Sequence, residues 1–264
     1  MTQPTFISTR GEAPALAFDD ALLAGLARDG GLYVPQAWPK LSAAEIAAVP
    51  GRSFAEVAAD TVTRFAAPDA SAREEILALA RAAYARFEHP ATTPLVEIAR
   101  NLFVLELFQG PTLAFKDVAM QLLARLMDRV LAQRGERATI VGATSGDTGG
   151  AAIEAFRGSR RVHCIILFPD GRVSDVQRRM MTTAREDNVH AVAIKGNFDD
   201  CQALVKAMFN DLAFRDRVRL AGVNSINWAR IVAQITYYLV AGAALGAPHR
   251  KVSFAVPTGN FGDI

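Results

Sequence analysis

From Thr93 onward, short apolar runs alternate with segments of helical periodicity, and this rhythm constrains the fold more than any other feature of the chain. The predicted strands are FVLELF (103–108), RATIVGA (137–143), VHCIILF (162–168), VHAVAI (189–194) and KVSFAVP (251–257). The predicted helices between them cover residues 117–135, 149–158, 174–186 and 199–214. Apolar runs separated by helices are typical of parallel strands that are covered on both faces. We therefore expect an α/β fold with open, mainly parallel sheets flanked by helices.

The first 93 residues differ from the rest and predict a mostly helical region. The run FDDALLAGLARDGGLYVP (18–35) indicates an amphipathic helix stopped by Gly30 and Gly31, with an extended exit toward Pro35. Further helices are expected over 43–49, 54–65 and 72–87, with prolines between them.

Composition excludes several classes of protein. The 264 residues are 51% hydrophobic and 21% charged, as in an ordinary globular protein, and a net charge of +2 gives no support for nucleic-acid binding. Cys164, Cys201 and the scattered histidines match no metal or disulfide spacing, so we expect no metal and a reducing, cytoplasmic location. The N-terminus shows no signal peptide. The uncharged run 231–247 approaches spanning length, but its polar and small residues favour a buried helix over a membrane span.

Lys116 is the first candidate for chemistry. It follows Phe115 in GPTLAFKDVAMQ (110–121), between a predicted strand and the start of a predicted helix. A lysine with little access to water has a lowered pKa and becomes a candidate nucleophile for imine formation. The alternative is that the side chain extends past Phe115 to the surface, as most lysines do.

A second candidate site is the loop TSGDTGG (144–150), which follows RATIVGA and precedes a helix. Loops at the carboxyl ends of parallel strands bind ligands, and free N–H groups at a helix start suit a carboxylate or phosphate. Its spacing matches neither a P-loop nor a dinucleotide fingerprint. The alternative is a simple turn in which Asp147 or Thr148 caps the helix.

A third candidate is PTGNFGDI (257–264), again after a predicted strand. Gly259, Asn260 and Gly262 tolerate positive φ, so consecutive N–H groups can turn inward and bind a phosphate monoester. A plain turn would explain the same glycines. Together the three sites offer an amine for an imine, a polar loop for an amino acid and a nest for a phosphate, which is the combination that pyridoxal phosphate requires.

Several long motifs follow one another along the chain: STRG (8–11), DALLAGLARDGGLYVP (20–35), LFQGPTLAFKD (107–117), ATSGDTGGAA (143–152), NSINWARI (224–231) and PTGNFGDI (257–264). In sequence and in order, these motifs resemble those of threonine synthase, in the longer microbial and fungal-like form. The resemblance implies a fold-type II pyridoxal-phosphate enzyme, similar to the tryptophan synthase β chain. It also implies four regions: the helical region 1–93, the start of a large cofactor domain at 94–136, a smaller α/β domain at 137–222, and a return to the large domain at 223–264.

The resemblance also implies roles for individual residues. Lys116 would bind the cofactor and move protons on and off the substrate carbons. The cofactor phosphate would be held by Gly259, Asn260, Phe261, Gly262 and Asp263. Asp147 would lie near the cofactor hydroxyl, where related enzymes often use an asparagine. Thr144, Ser145 and Thr148 would hold the amino-acid end of the substrate. For the substrate phosphate, the available cations are Arg160, Arg161, Lys195 and Arg230, and the sequence does not choose among them.

The implied reaction is that of a carbon–oxygen lyase acting on phosphates. It converts O-phospho-L-homoserine and water to L-threonine and phosphate, the last step of threonine biosynthesis, with a small-molecule substrate, no membrane and a monomer or homodimer. The alternatives are an eliminase of the same family, which would release a keto acid, and an N-terminal fragment without catalysis. Family members continue beyond Ile264, where the pyridine-nitrogen contact is expected, so we expect the large domain to be truncated and residues 1–264 to be inactive alone.

Overall fold

The computed structural model describes residues 4–66, 69–224, 226–258 and 262–263, and it has the expected α/β architecture. In the N-terminal region, helices pack beside a small antiparallel sheet with strand order β2-β1-β3. The elements are β1 (Thr5–Ser8), β2 (Leu16–Ala17), α1 (Phe18–Ala24), β3 (Tyr33–Pro35), α2 (Ala43–Ala47), α3 (Phe54–Ala66) and α4 (Ala70–Tyr84). The helices confirm the expected helical region, whereas the sheet was not predicted, because such short strands give no clear alternation.

The first helix is shorter than the sequence predicts. Helix α1 ends at Gly25, which has φ 62°, and not at Gly30 and Gly31. A Cβ at Gly25 would lie 2.9 Å from the backbone nitrogen of Gly222, so the chain approaches itself too closely there for any side chain. The helix therefore ends where a distant segment crosses it, which local periodicity does not reveal.

The segment before Lys116 forms a hairpin and not a member of the parallel sheet. Strands β4 (Leu95–Ala99) and β5 (Leu102–Leu105) pair antiparallel, with Asn101 at φ 59° in the turn. The predicted strand 103–108 is thus shorter than expected, and it pairs antiparallel with β4 and not parallel with another strand. The reason is the tight turn that joins β4 to β5. Helix α5 (Lys116–Arg134) then runs to Gly135, as predicted, where the backbone adopts the left-handed conformation at φ 66°.

A parallel sheet with the order β8-β7-β6-β9 forms the second half of the fold. Its elements are β6 (Ala138–Ala143), α6 (Asp147–Phe156), β7 (Val162–Pro169), α7 (Asp175–Thr182), β8 (Val189–Ile194), α8 (Phe198–Asn210), α9 (Leu212–Val218) and β9 (Leu220–Ala221). The predicted helix 199–214 is divided at Asp211, whose carboxylate caps α9 by accepting from the Phe214 N–H at 3.0 Å. Strand β8, at the edge of the sheet, is largely exposed. The prediction that the strands are covered on both faces is therefore wrong for β8.

The chain then returns through α10 (Trp228–Ala244), a buried helix that packs against α3 and α5. Neither α10 nor any other helix in the described part of the chain is both long and apolar enough to cross a membrane. Residues 251–257, predicted to be a strand, form no ladder hydrogen bonds with any strand in the described part of the chain. The sheet from Ala138 to Ala221 falls within the region 137–222, but the division into four regions stays a prediction.

Candidate functional site

Lys116 is the first residue of α5, and its side chain is held away from water. Only 17% of the side chain is exposed, and Nζ lies 4.2 Å from the centre of the Phe115 ring. Burial lowers the pKa of Lys116, the carboxylate of Asp147 partly offsets that effect, and the charge of Arg230 lowers the pKa further. The alternative of a solvated surface lysine is therefore wrong.

The loop before Lys116 is fixed by the next residue in the chain. The fully buried carboxylate of Asp117 accepts hydrogen bonds from Thr112, at 2.7 Å from the backbone N–H and 2.8 Å from the hydroxyl. Gly110 lies against it, since an added Cβ would be 2.5 Å from the Asp117 Cβ. Leu113 adopts φ 59° in the same loop, a conformation unusual for a branched side chain. Asp117 therefore fixes the conformation of the loop 110–115, which positions Lys116.

The loop 144–150 lies at the carboxyl end of β6, beside Lys116. Thr144 organises it, because its hydroxyl accepts hydrogen bonds from the N–H groups of Gly146 and Gly149, each at 2.9 Å. The N-cap of α6 is Gly146, without a side-chain cap, so the alternative of a simple turn capped by Asp147 or Thr148 is wrong. The Asp147 carboxylate instead points toward Lys116, with Oδ2 3.7 Å from Nζ. Two of the predicted sites, Lys116 and the loop 144–150, are thus in contact.

Gln177, on α7, is a neighbour of this site that sequence reasoning missed. Its Nε2 donates to Asp147 Oδ1 at 2.7 Å, and its Oε1 accepts from the Ser174 hydroxyl at 3.0 Å. Ser174 and Gln177 form a capping box at the start of α7, so the glutamine is held from both ends. The S-x-x-Q spacing was visible in the sequence, but its contact with Asp147 depends on the fold.

The third predicted site is described in part. Gly259, Asn260 and Phe261 lie outside the described residues. The carbonyl of Gly262 accepts from Gln234 Nε2 at 2.6 Å, and the carbonyl of Asp263 accepts from the Tyr237 hydroxyl at 3.1 Å. Helix α10 therefore holds the end of this loop through polar side chains on its buried face.

All three sites border one cleft of about 780 Å³. The predicted site residues that line it are Lys116, Thr144, Ser145, Thr148, Gly262 and Asp263. The N-terminal region adds Arg10 and Gly30 to the wall, and α8 adds Gln202 and Lys206, none of which the sequence identified. Pockets for small organic ligands have volumes of about 300–1,000 Å³, and this cleft lies within that range.

Arg230 is the one of the four candidate cations Arg160, Arg161, Lys195 and Arg230 that borders the cleft among the described residues. The Arg230 side chain is 3% exposed, donates to Gln234 Oε1 at 3.3 Å, and has no carboxylate within ion-pair distance in the described part of the chain. Burial lowers its pKa to about 10, which still leaves it charged at neutral pH. A buried unpaired cation facing a cleft is a strong candidate for binding an anion.

Asn224 also lines the cleft and has an unused acceptor. Its Oδ1 is buried and accepts no hydrogen bond from any described residue. Buried polar atoms are nearly always paired in folded proteins, so an unpaired one in a cleft indicates a missing ligand or water.

Comparison with known proteins identifies the family of this chain. Residues 87–264 match the family model described as "Pyridoxal-phosphate dependent enzyme". The chain belongs to this family. The region before the pyridoxal-phosphate enzyme match, residues 5–84, matches the model described as "Threonine synthase N terminus".

Relatives of this pyridoxal-phosphate enzyme confirm the resemblance to threonine synthases. The threonine synthase of Pseudomonas aeruginosa is 57% identical over 98% of this chain and 55% of its own length. The crystal structure of threonine synthase from Brucella melitensis with pyridoxal phosphate bound superposes with a TM-score of 0.91, at 63% identity, over 99% of this chain and 56% of that one. The crystal structure of threonine synthase from yeast superposes with a TM-score of 0.88, at 39% identity, over 98% of this chain and 54% of that one. The chain therefore spans about half the length of the relatives it matches.

Proposed function

We propose that this chain carries cofactor- and substrate-binding residues of a threonine synthase, which converts O-phospho-L-homoserine and water to L-threonine and phosphate. The observation that carries the proposal is the pairing of two groups in one cleft. Lys116 supplies an amine with a lowered pKa, and Arg230 supplies a buried cation with no carboxylate partner in the described residues. A substrate that is an amino acid with a phosphate group requires both: the amine for the cofactor and for proton transfer, and the cation for the phosphate. The threonine synthase relatives support the same reaction.

The residues present fit pyridoxal phosphate. Lys116 would bond to it covalently, Asp147 would lie near its hydroxyl, and residues 259–263 would hold its phosphate. The buried, unpaired Oδ1 of Asn224 is a further polar contact available to a ligand in the cleft. When bound, the cofactor supplies an electron sink next to the amino group of the substrate, which eases removal of protons from the adjacent carbons.

Lys116 is the residue in this cleft that is suited to move those protons. An amine whose pKa is lowered is more often free of its proton than an ordinary lysine, and so it can act as a base and then as an acid. Asp147 Oδ2, 3.7 Å from Nζ, favours the charged form of the Lys116 amine and so partly offsets the effect of burial on its pKa. Gln177 holds the other carboxylate oxygen and thereby keeps Asp147 directed at the lysine.

The loop 144–150 would bind the amino-acid end of the substrate. Ser145 is exposed in the cleft and forms no hydrogen bond with any other residue that the structure describes, so its hydroxyl is available. The loop also precedes the N-terminus of α6, where unpaired N–H groups and the helix dipole favour a carboxylate. Thr144 shapes the loop through two backbone contacts and Thr148 borders the cleft.

Product analysis tests the proposed reaction. The cofactor-loaded intact protein should convert O-phospho-L-homoserine to equal amounts of L-threonine and inorganic phosphate. Release of phosphate with 2-oxobutanoate in place of threonine would favour the eliminase alternative. Release of neither product would favour the non-catalytic alternative.

Replacing Arg230 should weaken use of the phosphorylated substrate. We expect Arg230→Gln to lower kcat/KM about 10- to 100-fold, because a charged hydrogen bond is worth about 1.5–3 kcal/mol. Steady-state kinetics with O-phospho-L-homoserine measures the effect. Arg160→Gln is the matched control, since Arg160 is exposed and lies outside the residues that line the cleft, and it should leave kcat/KM unchanged. An equal loss in both variants would contradict the assignment of Arg230.

A further inference from the structure

A second cavity, of about 380 Å³, lies behind the cleft. The cleft borders Ala143 at the carboxyl end of β6, whereas this cavity borders Ala138 at the amino end of the same strand. Its other walls come from the N-terminal region, the end of α5 and helix α9. Leucines such as Leu131 and Leu220 form an apolar floor. The cavity is therefore separate from the proposed active site and lies where several parts of the fold meet.

The rim of this cavity is strongly basic. Of the described residues that line it, five are arginines and two are carboxylates. Three of the arginines form ion pairs: Arg28 with Asp216 at 2.6 Å, Arg134 with Asp20 at 2.8 Å, and Arg219 with Glu136 at 3.8 Å. Arg137 and Arg215 have no carboxylate partner within ion-pair distance in the described part of the chain. Neither of these two guanidinium groups is thus bonded directly to a carboxylate of a described residue.

Arg215 is the more informative of the two because it is buried. Its side chain is 7% exposed, and its Nη2 donates to the carbonyls of Ala24 and Leu26. No described residue accepts a hydrogen bond from its Nε or Nη1. Burying a charge without a counter-ion is costly, and a bound anion would offset that cost. Arg137, exposed at the rim, provides a second charge for the same ligand.

We propose that this cavity is an effector site for a small dianion. Two unneutralised guanidinium groups match two negative charges, and the apolar floor accepts the short aliphatic body of a dicarboxylate. The site is connected to the cleft through Leu26, which lines both and whose carbonyl is held by Arg215. A ligand that binds Arg215 can therefore shift Leu26, which lines the proposed active site. The effector role, unlike the binding itself, rests on the proposed function.

Calorimetry with the cofactor-loaded intact protein tests binding, using succinate as the dianion, inorganic phosphate as a second dianion and acetate as a monoanion. We expect saturable succinate binding, much weaker acetate binding, and about tenfold or more weaker succinate binding by Arg137→Gln, since a charged hydrogen bond is lost. Arg100→Gln, an exposed arginine away from the cavity, is the control and should bind as the unchanged protein does. No saturable binding, or equal binding by Arg137→Gln, would overturn the site. Phosphate binding that persists in Arg137→Gln and is lost in Arg230→Gln would place that anion in the cleft and count against the cavity.

The effector role has its own measurement. Succinate should change the KM for O-phospho-L-homoserine in the unchanged protein and not in Arg137→Gln, and bound substrate should change the succinate affinity by the same factor. Specific binding with no change in KM would overturn the effector role. If the protein did not turn over this substrate, the proposed function would fail while the calorimetric result for the cavity still stood.

Discussion

Replacing Lys116 with alanine should abolish covalent retention of pyridoxal phosphate and lower kcat by about a thousandfold or more. The side chain is proposed both to bond to the cofactor and to move protons, and a positioned acid–base group alone contributes about 10²–10⁴-fold. The amine has a lowered pKa because it is buried, and it lies 3.7 Å from the Asp147 carboxylate, so no solvent molecule is expected to replace it efficiently. The absorption band of protein-bound cofactor should be lost with the activity.

Two control variants test whether the effect depends on the Lys116 amine itself. One keeps the positive charge at this position, and the other removes a different lysine of the cleft. Lys116→Arg keeps a positive charge but stays protonated, so it should be as inactive as the alanine variant. Lys206→Ala removes another lysine that lines the cleft and should keep the bound cofactor. Borohydride reduction followed by peptide mapping identifies the attached residue. Recovery of the reduced cofactor on any side chain other than Lys116 would contradict the assignment.

The parallel sheet and its helices could be predicted because their signals are local. The strands at 162–169 and 189–194 are short, mostly apolar runs, and α5 has a helical period that ends at Gly135. These signals need no knowledge of what the segment contacts. The same holds for Lys116 and the loop 144–150, since each lies directly at an element boundary that the sequence marks.

What could not be predicted depends on contacts between distant segments. Helix α1 ends at Gly25 because Gly222 crosses there, and nothing in residues 18–35 reveals that crossing. Residues 251–257 have the apolar pattern of a strand but form no ladder hydrogen bonds with any strand among the described residues. Local pattern gives the conformation that a segment can adopt, whereas its pairing depends on which backbone comes to lie beside it.

The candidate site shows the same limit. Sequence alone left Arg160, Arg161, Lys195 and Arg230 equivalent, because each is one cation in a polar context. The fold distinguishes Arg230 by burying it in the cleft with no ion-pair partner among the described residues. Gln177 was missed for a related reason, since its capping box is local but its bond to Asp147 spans 30 residues of sequence.

Asn227, from the same run as Asn224, should be the residue of this run that matters most for stability. It is fully buried, and its Nδ2 donates to the carbonyls of Leu22 and Gly222, at 2.9 and 2.8 Å. Its Oδ1 caps α10 by accepting from the Ala229 N–H at 3.0 Å. One side chain thus joins the first helix, the crossing at Gly222 and the start of α10.

Asn227→Ala should lower the free energy of unfolding by about 3–5 kcal/mol. Loss of the N-cap costs about 1 kcal/mol, and each of the two buried carbonyls left without a donor costs about 1–2 kcal/mol, in the lower part of the range for a buried unpaired group. At about 2–4 °C per kcal/mol for a chain of this size, the melting temperature should fall by about 10 °C. Thermal and denaturant unfolding, followed by circular dichroism, measure both quantities.

The neighbouring asparagine provides the matched control for this prediction. Asn224 has no hydrogen-bond partner for its buried Oδ1 in the described part of the chain, so Asn224→Ala should cost less than about 1 kcal/mol. Asn227→Ser keeps an oxygen that can cap α10 but lacks the two donors, so its stability should lie between those of Asn227→Ala and the unchanged protein. If Asn224→Ala and Asn227→Ala destabilised the protein equally, hydrogen bonding by Asn227 would not be the reason for the loss.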